Sequence, residues 1–375
     1  MAGLYIHIPF CARRCIYCAF YSTTLLEYRQ RYVDVVCQEM KFRGVRSEEC
    51  GAIIDTIYLG GGTPSQLTGE QLRQLFEAIY IYYKVAENAE ITIECNPDDI
   101  SEEFASALPK LGINRVSMGA QTFDNERLHF LHRRHTAEQV PLAVKRLRKA
   151  GIQNISIDLM YGFPNETLDD WEHDIDAALR LDVEHLSAYC LSIEEGTMLY
   201  EQMSKDKNLT SMDEEMERQM YERLIDKLTD AGYEHYEISN FAKPHFRSRH
   251  NNNYWRDVPY IGIGAAAHSY DGQSRSWNVS DIHQYMEAIE RGEIPCEREI
   301  LDDNTHYNDR ITVALRTYEG LDLNSLTTTY RQYITEQARP YIVDNLLRIQ
   351  DNHLILTRKG LFVSDMVMSD LMMVD

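Results

Sequence analysis

Six short runs rich in β-branched, aliphatic and aromatic residues, each followed by an amphipathic stretch, fill the first 190 residues and leave few folds open. The runs are Leu4–Ile8, Asp55–Leu59, Glu90–Cys95, Arg115–Met118, Asn154–Tyr161 and His185–Leu191. Between them, Thr68-Gly-Glu-Gln71 has the form of a capping box, and Leu72, Leu75, Phe76 and Ile79 follow on one helical face. Thr136-Ala-Glu-Gln139 opens a second such stretch with Val140, Val144 and Leu147, and Thr167 a third with Trp171, Ile175 and Leu179. Strands separated by helices pair in parallel, which predicts an α/β chain built as a doubly wound sheet or a partial (β/α) barrel. A spacing of roughly 30 residues per unit and polar residues at the strand ends favour the barrel. Gly60–Thr63, Glu94, Gln121 and Asp158 lie at those ends, on the rim where such barrels assemble chemistry.

The rest of the chain is less regular. Met216, Met220, Leu224 and Leu228 mark a helix over 213–231, and an aromatic, His-rich segment runs from Tyr233 to Tyr270. Pro295–Asp303 reads as a linker. Leu323, Leu326, Tyr330 and Ile334, then Tyr341 and Leu346, suggest two short helices. His353–Thr357 suggests a strand, with a turn at Lys359-Gly360 and a last helix. The expected organisation is a barrel over 1–240, a connecting segment over 241–300, and a small C-terminal winged-helix-like domain over 301–375, read as a structural or partner-binding cap.

The chain carries 38 Lys+Arg against 59 Asp+Glu, a formal charge of −21. Nucleic-acid binders show a basic excess or stripe, and anionic lipid attracts basic segments, so neither is an expected partner surface. No apolar run approaches the ~18 residues of a membrane-crossing helix, and the N-terminus lacks the regions of a secretion signal. The expectation is a cytoplasmic, reduced protein whose 8 Cys form no disulfide framework.

Three of those Cys fall within eight residues, Cys11-Ala-Arg-Arg-Cys15-Ile-Tyr-Cys18, directly after the first strand. Soft thiolates select zinc or iron–sulfur centres. A closed zinc site takes four ligands, and no near neighbour obviously supplies the fourth, since His7 lies within the predicted strand. Three thiolates on a [4Fe–4S] cube leave one iron open to a small molecule carrying an amine and a carboxylate. Arg13 and Arg14 would offset part of the cluster's charge. A zinc site completed from elsewhere in the chain, or three buried free thiols, also fits these residues.

CxxxCxxC with an aromatic residue, Tyr17, before the last Cys resembles the radical S-adenosylmethionine (SAM) superfamily. The resemblance extends through Tyr5-Ile-His-Ile-Pro-Phe-Cys11, Gly60-Gly-Gly-Thr-Pro64, Glu94-Cys-Asn-Pro97, Ser117-Met-Gly-Ala-Gln121 and Asp158-Leu-Met-Tyr-Gly-Phe-Pro164. Together these are similar to the oxygen-independent coproporphyrinogen III oxidase family and its close relatives, over essentially the whole chain. The resemblance implies a [4Fe–4S] cluster on Cys11, Cys15 and Cys18, with SAM on the open iron and cleaved reductively there. It further implies SAM contacts from Tyr5, Tyr17, Gly61, Gly62, Thr63, Glu94, Gln121, Arg133 and Asp158. Gln121, Arg133 and Asp158 match contacts to a second SAM in the oxidase, which leaves one or two SAM open. Taken by their chemistry, glycine-flanked N–H and C=O groups would grip the amino and carboxylate ends of SAM. Glu94 would accept from ribose hydroxyls, and Arg133 would pair with a carboxylate. A tight βα turn and ordinary strand-end polar residues would use the same letters.

Two departures separate the chain from the oxidase. Its pattern continues with a fourth Cys two residues after the third, where this chain has Phe20, and it carries a long extension before a motif that here begins at residue 11. Both departures match the haem chaperone branch of the family, HemW. So does His250-Asn-Asn-Asn-Tyr-Trp255, in which His250 offers an imidazole to haem iron and Tyr254 and Trp255 offer faces to a porphyrin. The Asn run suggests a turn. A polar loop with a buried Trp accounts for the same residues, and His245, His268 and Cys296 are further candidate ligands. The resemblance thus implies haem binding and delivery to haem-requiring respiratory proteins, with peripheral membrane association and a homodimer, and without coproporphyrinogen oxidase activity. Gly262-Ile-Gly264 superficially matches a dinucleotide fingerprint, but lacks its context and reads as close backbone packing.

Overall fold

The computed structural model describes residues 2–50, 53–206 and 209–374, for 45–50 the backbone only. Six strands, β1 (Ala2–Ile8), β2 (Ile53–Gly61), β3 (Lys84–Cys95), β4 (Arg115–Gln121), β5 (Asn154–Tyr161) and β6 (His185–Cys190), pair in parallel and in chain order. The period-two alternation of a strand divides them cleanly. Ile6, Ile8, Ile57, Leu59, Ile91, Ile93, Val116, Met118, Ile155 and Ile157 are buried in one apolar core with Val33, Val36, Leu72, Leu75, Val140, Val144 and Ile175 of the crossover helices. The alternate positions are polar: Tyr5 and His7, Thr56 and Tyr58, Thr92 and Glu94, Arg115 and Ser117, Ser156 and Asp158, His185 and Ser187.

The helices start much as the sequence predicts. Thr68 and Thr167 close full capping boxes on helices Gly69–Tyr82 and Leu168–Arg180. The box expected at Thr136 is only half made. Gln139 accepts from the Thr136 N–H, but the helix begins at Gln139 and the Thr136 side chain caps nothing.

The sheet continues past both ends of this unit and stays open, as a partial barrel of 12 strands. Beyond β6 lie β7 (Glu234–Glu237) and β8 (Asn240–Ala242), both antiparallel. On the other side β9 (Tyr260–Ile263) pairs in parallel with β1, followed by β10 (His268–Tyr270), β11 (Ser274–Asn278) and β12 (Cys296–Ile300). Residues 241–300 therefore contribute four whole strands and most of β8 to the main sheet. The stretch Pro295–Asp303, expected as a linker, holds edge strand β12: its polar, charged composition is that of an exposed strand, every residue of which faces solvent. Gly264 lies at φ +106°, where an added Cβ would meet the Tyr32 hydroxyl and the His7 carbonyl, so Gly262-Ile-Gly264 is the close backbone packing expected. Buried Glu39, from helix Arg29–Cys50, ties this region down by accepting from the Gly264 N–H, Tyr285 and Asn278.

The C-terminal part has its own core around Tyr307, Ile311, Leu315, Ile334, Leu347, Leu354 and Leu371. A three-stranded sheet of β13 (Leu321–Asp322), β14 (Leu347–Gln350) and β15 (His353–Leu356) sits among helices Asp303–Ala314, Thr328–Gln337 and Ser364–Leu371. The first of these helices was not legible as periodicity, and Lys359-Gly360, expected as a turn, lies inside the short helix Arg358–Leu361 capped by Thr357. No helix among the described residues is long and apolar enough to cross a membrane.

Candidate functional site

The loop after β1 carries the three thiols. It is fixed at both ends by backbone hydrogen bonds, Cys11 N–H to Thr23 O at 2.9 Å and Thr23 N–H to Pro9 O at 2.7 Å. In its middle, buried Ile16 packs with Leu131, Met160, Phe163, Leu191 and Leu199, and its backbone bonds both Leu131 and Leu199. The loop is thus anchored to the ends of β4–β6 while Cys11, Cys15 and Cys18 stay partly exposed. Burial raises the Cys11 and Cys18 thiols above the ordinary range, and each is raised further by Cys15. Among the described residues no three His, Cys, Asp or Glu side chains are drawn together as for a single ion. A cube distributes its thiolates over separate irons, so three thiols on one anchored loop suit that donor set better than a zinc ion. Ligation by iron would deprotonate them outright.

A half-buried cation stands beside the thiols. Arg133 follows a turn with His132 at φ +62° and reaches back to the loop. Its Nη1 lies 3.5 Å from Cys15 Sγ, and its Nη2 donates to Asn96 Oδ1 at 2.7 Å and to the Gly119 carbonyl at 2.6 Å. Sequence reasoning assigned Arg133 to a carboxylate and gave the charge balance to Arg13 and Arg14. The structure puts the Arg133 guanidinium nearest Cys15, and leaves Arg14 as the cation that eases the Cys18 thiol.

The glycine-rich end of β2 is packed on every side. A Cβ at Gly60 would press on Tyr58 and on the Glu94 carboxylate, one at Gly61 (φ +109°) would strike the His7 ring, and one at Gly62 would strike the Pro9 backbone. Glycine is required there for the close approach of β1, β2 and β3. Thr63, buried, brings its hydroxyl to 3.5 Å from Cys11 Sγ. Glu94 accepts from Tyr58 at 2.8 Å and from the Gly61 N–H at 3.2 Å. Burial, against those two hydrogen bonds, lifts its carboxyl up to about 7. Gln121 sits at φ +69°, strained for a side-chain-bearing residue, at an irregular register step of β4. Its amide and the Arg133 guanidinium both lie over Gly119, where a Cβ would meet them at 2.7 and 3.1 Å. Asp158 accepts from Ser117 at 3.3 Å, and burial raises its carboxyl. Tyr5 donates to or accepts from His7 Nδ1 at 3.0 Å, and burial raises its phenol well above the ordinary value. Tyr17 is raised by burial, with Arg133 opposing.

The β1–β5 ends thus bring together Cys11, Cys15, Cys18, Tyr5, Tyr17, Gly61, Gly62, Thr63, Glu94, Gln121, Arg133 and Asp158. Sequence reasoning missed three of their supports. Asn96 was legible only as part of its motif; Tyr58 alternates with Gly60 on β2, a signal that places it on the site's face; His7 was set aside as a strand residue.

His250 is elsewhere. The Asn run is helical, Arg249–Trp255, because Ser248 caps it and Glu90 accepts from the N–H groups of Arg249 and His250. The ring is 1% exposed. Its Nδ1 bonds Thr56 Oγ1 at 2.9 Å and its Nε2 bonds Tyr254 at 2.8 Å. Burial, then the Arg115 charge, brings it down to about 3. Expected as a haem ligand, His250 has both ring nitrogens engaged within the protein, and neither is open to an iron in this arrangement.

Residues 5–178 match the Radical SAM superfamily. The chain is 40% identical over 291 residues to the heme chaperone HemW of Bacillus subtilis (strain 168), covering 77% of this chain and 76% of that one. It is 34% identical to the heme chaperone HemW of Lactococcus lactis subsp. lactis (strain IL1403), over 95% of this chain and 93% of that one. The fold superposes on the coproporphyrinogen III oxidase HemN of Escherichia coli with a TM-score of 0.85 at 21% identity, covering 99% of this chain and 89% of that chain. That likeness is one of fold, whereas the sequence likeness runs through the HemW proteins: the chain belongs to the HemW family of radical SAM proteins.

Proposed function

We propose that the protein is a haem chaperone with a radical SAM core, binding haem and passing it to haem-requiring respiratory proteins. In this reading Cys11, Cys15 and Cys18 hold the [4Fe–4S] cluster, and Arg133 offsets its charge at Cys15. Thr63 steadies Cys11 through its hydroxyl. SAM lies along the strand ends on Tyr5, Tyr17, Gly61, Gly62, Thr63, Glu94, Gln121, Arg133 and Asp158, with Glu94 accepting from the ribose. When bound, the cluster supplies the electron for reductive cleavage of SAM; the chain supplies orientation and exclusion of water. The barrel core over 1–240, the segment over 241–300 that carries the haem-facing residues, and the C-terminal unit over 301–375 are the working parts. A cytoplasmic homodimer that meets its acceptors at the membrane surface completes the picture.

One observation carries the chaperone reading over the oxidase. At position 20, where the oxidase pattern has a fourth Cys, this chain places a Phe that is 73% exposed beside a cavity at the cluster loop. An exposed aromatic at a cavity mouth offers a flat apolar face to a ligand. The test is haem transfer. Reconstituted protein loaded with one equivalent of haem is expected to lose its Soret band to an apo-cytochrome offered in membrane vesicles. Haem that stays on the protein, with the acceptor remaining apo, overturns the reading.

A further inference from the structure

A cavity next to the cluster loop, about 720 Å³, falls within the 300–1,000 Å³ of sites that enclose small ligands. Its walls come from three parts of the chain: Tyr5 and His7 of β1, Arg14 and Phe20 of the cluster loop, and Tyr254 and His268 from helix Arg249–Trp255 and strand β10. Flat aromatic faces and a rim residue as exposed as Phe20 match a broad planar ligand, not a polar or extended one.

Three histidines stand at or behind this wall, and they differ in what their nitrogens do. His7 bonds the Tyr5 hydroxyl through Nδ1 and the Tyr21 carbonyl through Nε2, both at 3.0 Å. His250, behind Tyr254, is likewise bonded at both nitrogens. His268 is exposed, lines the cavity, and makes no ring hydrogen bond among the described residues. Its ring is held from one side by Trp277, stacked at 6.0 Å and 28°. Partial shielding of the ring from water, with Arg275 adding, lowers its ionisation, which favours the neutral imidazole that binds iron. Across the cavity Arg14 is exposed and forms no ion pair among the described residues, a free planar fork for a carboxylate.

We propose that haem lies in this cavity, with His268 as its axial ligand, Phe20 and the tyrosines against the macrocycle, and Arg14 on a propionate. His250 is then a positioning residue: it holds Tyr254, which lines the cavity, without touching the iron. This assignment rests on the haem-carrying reading above and adds the place and the ligand.

The test uses the full chain, reconstituted anaerobically, titrated with ferric haem and separately with iron-free protoporphyrin IX. Wild type is expected to bind both, with an imidazole-ligated haem spectrum. His268→Ala should lose that spectrum and weaken ferric haem about tenfold or more, leave protoporphyrin IX within about twofold, and regain the spectrum on adding free imidazole. Phe20→Glu, at an exposed position where folding is undisturbed, should weaken both ligands. If His268→Ala binds ferric haem with the wild-type spectrum and affinity, the ligand assignment is overturned while the chaperone reading stands. If Phe20→Glu leaves both affinities unchanged, the cavity is overturned as the site. If wild type binds neither ligand, the haem reading itself falls, and this assignment with it.

Discussion

His250 lies stacked on Tyr58, their ring centroids 5.1 Å apart and their planes 25° apart. Tyr58 donates its hydroxyl to Glu94 and also stacks on Tyr5 at 6.3 Å. The imidazole of the HNNNYW segment therefore supports, through Tyr58, two side chains proposed to contact SAM, Glu94 and Tyr5. Its place in the fold is a packing and hydrogen-bonding role shared between the two ligand regions.

That role predicts a cost independent of haem. His250→Leu leaves Tyr254 without this partner and Thr56 with Asn253 alone, and is expected to lower the stability of haem-free protein by about 1–3 kcal/mol in urea unfolding. A variant as stable as wild type would show that these hydrogen bonds contribute nothing.

Glu94 predicts a pH signature. Its carboxyl titrates near about 7 in the folded chain and in the ordinary carboxylate range when unfolded. The folded state therefore holds the proton more tightly. The stability this confers is full below the unfolded pKa and is lost as pH rises through about 7. Glu94→Gln removes the charge that burial penalises. In cluster-free protein it is expected to gain on the order of 1–3 kcal/mol over wild type at pH 8, and little at pH 4. Thermal unfolding at the two pH values checks this, and an equal effect at both contradicts it.

Arg133 predicts a redox signature. Arg133→Met removes the guanidinium beside Cys15 and strands the Asn96 and Gly119 oxygens. Loss of a half-buried positive charge next to the cluster disfavours adding an electron. The cluster's midpoint potential should fall by on the order of tens of millivolts. Spectroelectrochemistry of the reconstituted variant decides it; an unchanged potential would place Arg133 outside the cluster's field.

The three thiols predict a stoichiometry. Wild-type protein reconstituted with iron and sulfide should hold about four irons per chain, and Cys→Ser at 11, 15 or 18 should each reduce it to a small fraction. Ser at Cys37, Cys95 or Cys190, which lie outside the loop, should leave it intact. A colourless protein retaining one tight zinc would restore the alternative the sequence left open.

How far the sequence reached follows from which signals are local. The six parallel strands and their helices were legible because alternation and i, i+4 periodicity are written within a dozen residues. The Cys11–Cys18 loop and the strand-end residues Glu94, Gln121 and Asp158 were legible because they are adjacent to those strands. What was not legible depends on distant partners. Strand β12 looked like a linker because an edge strand exposed on both faces carries no apolar alternation. The HNNNYW segment looked like a turn because its helix is imposed from outside, by Ser248 and by Glu90, which lies 160 residues earlier. The Arg133–Cys15 contact spans 118 residues and has no trace in local spacing. His268 was one of four candidates, and its place in the wall of the cavity beside the cluster loop has no trace in the sequence.

The most direct test of the account sets its two chemistries against each other in one anaerobic vessel. Reconstituted full-length protein with SAM and a one-electron reductant is offered coproporphyrinogen III, and a parallel sample is offered haem. The account predicts stoichiometric haem binding with no release of CO₂ and no protoporphyrinogen IX. Catalytic conversion of coproporphyrinogen III to protoporphyrinogen IX would contradict it.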